Sequence, residues 1–263
     1  MRKRPWTLVR GLRKEGHRLK ILQDLIASLR EDAPVREVLI GPFWTAVWSR
    51  ACGLASTVMP EEHEHGATFV GGSGELAGSS ALGLCHLAFS DSVLEAGIGM
   101  AAINSLLDVD EKRCQELNAG QLLIKRGRGK RVALVGHFPF VPSLRGVARE
   151  LSVLELRPRD GDFPAEQAET VLPEADIVAI TGSAFINHTI EPLLRLCRPG
   201  SLVVVLGPTT PLSPILFDYG VDVISGTRVI DPLLALRCVS EGAVFRQLRG
   251  IRLLTMRRRR KKR

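Results

Sequence analysis

No apolar run in this sequence approaches the roughly 18 residues needed to cross a bilayer, so no membrane span is expected. Cysteine is scarce and badly placed for metal or disulfide work. Cys52, Cys85, Cys114, Cys197 and Cys238 are odd in number and widely spaced, with no C-x-x-C among them. That spacing excludes a zinc ribbon and argues against a disulfide framework; most are expected to be small buried hydrophobes. The opening residues, MRKRPWTLVRGLRK, lack the apolar core of a secretory signal. Their arginines, with no acid before Glu15, leave an organellar transit peptide as the alternative to the cytoplasmic location read here. The nucleotide and hydrolase signatures are missing too. No G-x-G-x-x-G follows a strand, no G-x-x-x-x-G-K-[ST] occurs and no G-x-S-x-G elbow presents a serine. A nicotinamide cofactor, a P-loop nucleotide and an elbow nucleophile are thereby excluded by motif.

A basic body is missing as well, despite a net charge of +8. Seven of the 36 Lys and Arg sit in the terminal block Arg257 to Arg263, which leaves 29 against 28 Asp and Glu. The block reads as a solvated, disordered tail, with nonspecific contact to nucleic acid as a second reading. With 45% hydrophobic and 24% charged residues, the rest is an ordinary globular chain. Its length favours two compact units over one.

What is present falls into two patterns. In the first, His17 to Arg30 sets Leu19, Leu22, Ile26 and Leu29 at helical spacing, an amphipathic helix. Val35 to Ile40, Phe43 to Ser49 and Gly53 to Val58 follow as a strand meander. Residues 60–80 form a long glycine-rich loop that opens on Glu61-Glu-His-Glu-His. A helix capped by Ser79 or Ser80 runs to Phe89, and another, capped by Ser90 or Asp91, runs to about Asp108. The small residues of Glu95-Ala-Gly-Ile-Gly-Met-Ala-Ala allow close backbone approach. Glu95 and Asn104, nine residues apart, point to opposite sides unless that helix breaks at Gly97 or Gly99.

From Arg131 the second pattern alternates strand and helix. Strands are expected at Val132–Val135, Val153–Leu156, Ile177–Ile180, Leu202–Leu206 and Val221–Ile224, with helices at 142–150, 164–172, 184–197, 212–218 and 231–240. This is an α/β arrangement, a parallel sheet with helices on both faces. Three strands end in unusual turns, at Gly136-His-Phe-Pro-Phe, Thr181-Gly-Ser-Ala-Phe-Ile-Asn and Gly207-Pro-Thr-Thr. A strand order of 2-1-3-4-5 places them side by side at the carboxyl edge, where ligands of open α/β sheets bind; the order 3-2-1-4-5 would send Thr181 to the far edge. His137 is the best-placed residue for ligation or acid/base work, and the Thr181-Gly-Ser turn can hold an anionic group or simply cap a helix. His63 and His65, with three carboxylates between and beside them, are further candidate ligands for a transition metal. His188 is expected to face solvent early in its helix.

Taken in order, Gly41-Pro-Phe-Trp-Thr-Ala-Val, Gly53-Leu-Ala-Ser-Thr, Ala101-Ala-Ile-Asn, Val135-Gly-His-Phe-Pro-Phe, Ile180-Thr-Gly-Ser-Ala-Phe-Ile-Asn-His-Thr and Gly207-Pro-Thr-Thr-Pro-Leu-Ser-Pro resemble the heavy-metal chelation family of prokaryotic proteins. The similarity spans about residues 18 to 245. The resemblance implies a lobe like the N-terminal domain of enolase joined to a Rossmann-like domain, with a site between them. On that basis the organisation is a basic segment over 1–16, an α+β lobe over 17–112, a helical linker over 113–130, a Rossmann-like domain over 131–250 and a basic tail over 251–263. It points to Asn104, Gly136, His137, Phe138, Pro139, Thr181, Gly182, Ser183, Asn187 and Thr209 as ligand-binding residues. The function expected is binding of a heavy metal, metal chelate or other small ligand in the interlobe cleft by a protein that resembles homodimers. The alternatives are an enzyme acting on a small anionic metabolite there, with His137 as general acid/base, and an interaction protein using the basic tail.

Overall fold

Residues 19–60 and 68–259 are described by the structure, a computed structural model. His63, His65 and the last four residues of the basic block lie outside the described residues. Helix α1 (Lys20–Ala27) is shorter than the amphipathic spacing suggests and buries Ile21, Leu22 and Leu25. Strands β1 (Glu37–Ile40), β2 (Trp44–Trp48) and β3 (Cys52–Ser56) form the expected antiparallel meander. Helix α2 (Ala81–Cys85) is capped by the Ser80 hydroxyl, which accepts from the Gly83 N–H at 2.8 Å. Helix α3 (Val93–Leu106) is capped by Ser92, one or two residues beyond the caps expected.

Helix α3 runs unbroken through Gly97 and Gly99. Glu95 therefore stays at its far end, where it accepts from the Gly71 N–H and the Ser90 hydroxyl, and never meets Asn104. The small residues of α3 are used inside the chain. A Cβ on Gly99 would lie 2.0 Å from the Ala88 nitrogen, and one on Gly53 would lie 2.0 Å from the Ala101 carbonyl oxygen. Backbone thus lies flush on backbone along both sides of the helix.

The remaining elements build one eight-stranded sheet. They are β4 (Cys114–Glu116), α4 (Ala119–Gly127), β5 (Arg131–Val135), α5 (Val141–Arg145), β6 (Glu150–Glu155), β7 (Phe163–Pro164), α6 (Ala168–Val171), β8 (Ile177–Thr181), α7 (Ser183–Ile186), α8 (Ile190–Leu196), β9 (Leu202–Leu206), β10 (Val223–Val229), α9 (Pro232–Ser240) and β11 (Ile251–Arg257). The order is β4-β11-β10-β9-β8-β5-β6-β7. The five strands expected from the alternation are parallel and lie in the order 2-1-3-4-5. Three strands were not expected. β11 runs antiparallel to β10 from Ile251, where composition alone starts a basic tail. Its flanking arginines hide a strand whose consecutive Leu254, Thr255 and Met256 are all buried. Arg258 continues this anchoring, with its N–H on the Asp222 carbonyl at 2.9 Å and its guanidinium on the Phe217 carbonyl. β4, inside the stretch read as a helical linker, pairs with β11.

Strand residues alternate between two cores, as a sheet covered on both faces requires. Val132, Leu134, Ile177, Ala179 and Val204 pack with Leu122, Leu123, Val141 and Leu144. Ala133, Val178, Ile180 and Val205 belong instead to a cluster that also holds Ile21, Leu22, Met100 and Ile103. The N-terminal part and the large sheet therefore share a core. Hydrogen bonds fix the junction, from the Ile21 N–H to Glu191 (2.7 Å), from the Tyr219 hydroxyl to Asp24 (2.6 Å) and from the Trp44 indole to the Ala243 carbonyl (2.8 Å). Among the described residues no helix is long and apolar enough to cross a membrane.

Candidate functional site

The carboxyl edge of the sheet gathers the three polar turns. The ladder runs one residue past each strand: the Gly136 N–H donates to the Leu154 carbonyl, Gly182 to Leu206 and Gly207 to Ser225. The turns consequently start level with one another. They also touch. Gly136 has φ +101° and no room for a Cβ, which would lie 2.9 Å from the Thr181 Cβ. A Cβ on Gly182 would lie 2.7 Å from both the nitrogen and the hydroxyl oxygen of Thr210. Glycine at both places lets one turn's backbone rest on the next turn's threonine.

The N-terminal part meets this edge with β3 and the end of α3. Ser56, the last residue of β3, donates its backbone N–H to the Thr209 hydroxyl at 2.9 Å and receives that hydroxyl's proton on its own side chain at 3.1 Å. The Ser183 hydroxyl donates to the same Ser56 oxygen at 3.3 Å, and Thr181 donates to Ser183 at 3.4 Å. Asn104 spans the junction, its amide donating to the Leu54 carbonyl on one side (2.9 Å) and the Thr209 carbonyl on the other (3.1 Å). The result is a seam of hydroxyls and one amide between the two parts of the chain. Ser56 accepts twice within it, which leaves its own O–H uncommitted in this donor assignment. Behind the seam the Thr210 hydroxyl is buried and has no hydrogen-bond partner among the described residues.

Of the residues singled out from sequence, Asn104, Gly136, Thr181, Gly182, Ser183 and Thr209 come together here. His137 does not join them. It leaves β5 on the β6 side, where its Nδ1 lies 3.5 Å from a carboxylate oxygen of Asp162. Glu155, at the end of β6, shares this corner: burial raises its pKa, and the N–H groups of His137 and Leu156 partly offset the rise. Phe138 stacks on Phe140 at 5.1 Å and packs into the core beside α4, while Pro139 is exposed. Asn187 accepts from the N–H and the hydroxyl of Thr189, closing the break between α7 and α8. That break also corrects the reading of His188. The expected helix over 184–197 is interrupted, His188 takes φ +61°, and its ring turns inward to the Ala88 carbonyl at 2.7 Å. Ser56 was not singled out from sequence. Its one signal is its place at the end of a strand within Gly53-Leu-Ala-Ser-Thr.

The chemistry of the described residues does not fit a bare heavy-metal ion. Such ions favour thiolate and imidazole donors, whereas the seam offers neutral oxygens. The cysteines are free, and burial pushes the thiols of Cys52 and Cys85 up to about 12 and that of Cys197 up to about 11. Among the described residues, no three His, Cys, Asp or Glu side chains are grouped to hold a metal.

Comparison with known proteins places the chain. Two family models, DUF4213 over residues 22–107 and DUF364 over residues 118–257, both carry the description "Putative heavy-metal chelation". An uncharacterized protein of Methanocaldococcus jannaschii is 28% identical over 208 residues, which cover 75% of this chain and 78% of that one. A crystal structure of a protein of unknown function from the DUF364 family of Desulfitobacterium hafniense DCB-2 superposes with a TM-score of 0.80 at 28% identity, covering 91% of this chain and 98% of that one. A second DUF364 structure, from Pyrococcus horikoshii, has a TM-score of 0.76 at 24% identity with the same coverage and shares the fold. With matches to both models along most of its length and a mixed α/β architecture in common, the chain belongs to the heavy-metal chelation family.

Proposed function

We propose that this protein binds a small anionic ligand, a metal chelate or a compact metabolite, at the seam between β3, α3 and the carboxyl edge of the large sheet. The observation that carries the reading is the hydroxyl chain Thr181–Ser183–Ser56–Thr209, with a donor to spare on Ser56 and Asn104 locking its far side. It lies where the strand order reverses, between β5 and β8, which is where open α/β sheets receive ligands. Neutral hydroxyl and amide groups suit the outer oxygens of a chelate whose metal keeps its own ligands. They do not suit capture of a naked ion. The family description supports a link to metals, and the donor chemistry narrows it to a metal that arrives already complexed.

A second reading has its own observation. His137 is part-exposed, with Asp162 behind its ring, the arrangement in which a carboxylate orients an imidazole for proton transfer. In that reading the same edge turns over a small anionic metabolite.

The deciding experiment starts with protein purified without chelators, by elemental analysis and native mass spectrometry. It continues with titration of nickel, cobalt, iron and zinc, each as the free ion and as its citrate complex. Binding of a complex but not of its free ion, weakened about tenfold in Thr209→Val, is the expected result. Free ions binding wild type and Thr209→Val equally well would overturn the seam as the site. Turnover of a copurified metabolite that resists chelation and is lost in His137→Ala would favour the second reading.

A further inference from the structure

A cavity of about 470 Å³ opens away from the seam, between the residues that follow α1, the β2–β3 turn, the stretch after α3, and β10. Its lining is unusually charged: Arg30, Arg50 and Arg228, with Asp108 and Asp110, around Ala51, Leu107 and Val109. The five charges do not cancel in place. Arg50 is committed to the wall, with one guanidinium nitrogen 2.8 Å from Asp108 and another donating to the Leu106 carbonyl at the end of α3. Asp110 accepts from the Lys112 N–H at 3.1 Å and so caps the turn after α3. Arg30 and Arg228 are left without an ion-pair partner among the described residues.

Arg228 is the informative one. It is half-buried near the end of β10, in the stretch that extends past β9 toward the carboxyl edge. Directly opposite it on β11 stands Arg252, so two like charges sit across one ladder position, an unfavourable pairing. Arg252 is neutralised by two carboxylates, Glu111 at 2.8 Å and Glu116 at 2.5 Å. Arg228 has the same neighbour, less water than a surface side chain and no carboxylate partner among the described residues. A guanidinium taken partly out of water without a counter-charge is costly unless something supplies one.

We propose that this cavity is an anion site, in which a small carboxylate- or phosphate-bearing metabolite lies on the fork of Arg228 with Arg30 closing over it. The planar guanidinium matches either oxyanion through two parallel N–H donors. Asp110 on the rim repels highly charged species, so the site favours a compact ligand with one oxyanion head. Arg50, held by Asp108, shapes the wall and does not need to move. The site shares no residue with the seam and does not depend on what binds there.

The test is isothermal titration of the full-length protein at fixed ionic strength, with inorganic phosphate in one arm and acetate in the other. One saturable site for at least one of the two is expected, and the stronger arm separates a phosphate head from a carboxylate head. Arg228→Gln is expected to weaken it about tenfold or more, the loss of a charge-assisted pair. Arg30→Gln, on the exposed side, is expected to weaken it less. Should Arg228→Gln fail to fold, Arg228→Lys keeps the charge and removes the fork. Absence of saturable binding by wild type in both arms, or undiminished affinity in the folded Arg228 variant, would overturn the proposal.

Discussion

Two corners of one sheet edge, on either side of β5, solve the problem of polar groups at a strand end differently. Toward β8 the groups are neutral: the Thr181, Ser183 and Thr209 hydroxyls form a hydrogen-bonded chain that converges on the Ser56 hydroxyl, with Asn104 bridging two carbonyls. Toward β6 they are ionisable, His137 beside Asp162 with the half-buried Glu155 beneath. The neutral corner exists only because two parts of the chain meet there. The ionisable corner is local to β5, β6 and the loop before β7. Long-range docking and local turn chemistry are thus separable at adjacent strand ends, and they should respond differently to mutation and to pH.

The largest effect should come from removing the docking itself. Gly53→Val drives a side chain into the Ala101 carbonyl and the Ser105 nitrogen, at 2.0 and 2.5 Å from the first added carbon. A loss of about 3 kcal/mol is expected from urea unfolding, and with it the seam. A shift much below that would mean that β3 and α3 can part without cost, and the contrast between the corners would lose its basis. Thr209→Val is milder. It keeps the shape and removes the hydroxyl that joins Ser56 to the sheet, so about 2 kcal/mol is expected to go, through the orphaned Ser56 N–H. The same substitution should leave the ionisable corner untouched, which the ring resonances of His137 would report by NMR.

The smallest effect is at Glu155, and its sign is the sharpest test. Burial raises this carboxyl above its ordinary range in the folded chain. The folded state therefore holds the proton more tightly than the unfolded one, and stability falls as pH rises from the ordinary carboxylate value through the raised one. Glu155→Gln cannot ionise. Its stability relative to wild type should improve with rising pH across that window and stay level above it. A difference that runs the other way would show that the His137 and Leu156 N–H groups outweigh burial.

The order of the five parallel strands was legible because alternation of β-branched strands with helices carries it, and because one order alone brings the polar turns together. Asn104 and Thr209 were legible as polar residues in family-like stretches. Ser56 was not, since nothing local separates a serine at a strand end from any other; its partners are 127 and 153 residues away. His188 was misread because one left-handed residue inside an otherwise helical pattern leaves no periodic trace, yet it reverses which way the ring points. β11 was hidden by composition: a strand whose last residue opens a run of seven basic side chains looks like the run.

The shared core has a consequence for how such a chain can be inherited. Two family profiles divide it near residue 110, as though two modules had been joined. Yet Ile21, Met100 and Ile103 are packed in one cluster with Val178, Ile180 and Val205, so each half is the other's missing surface. Severed, either would present an oily face to solvent. Recombination has little to shuffle here. Drift in one half must be answered in the other, and the pair travels as a single heritable object.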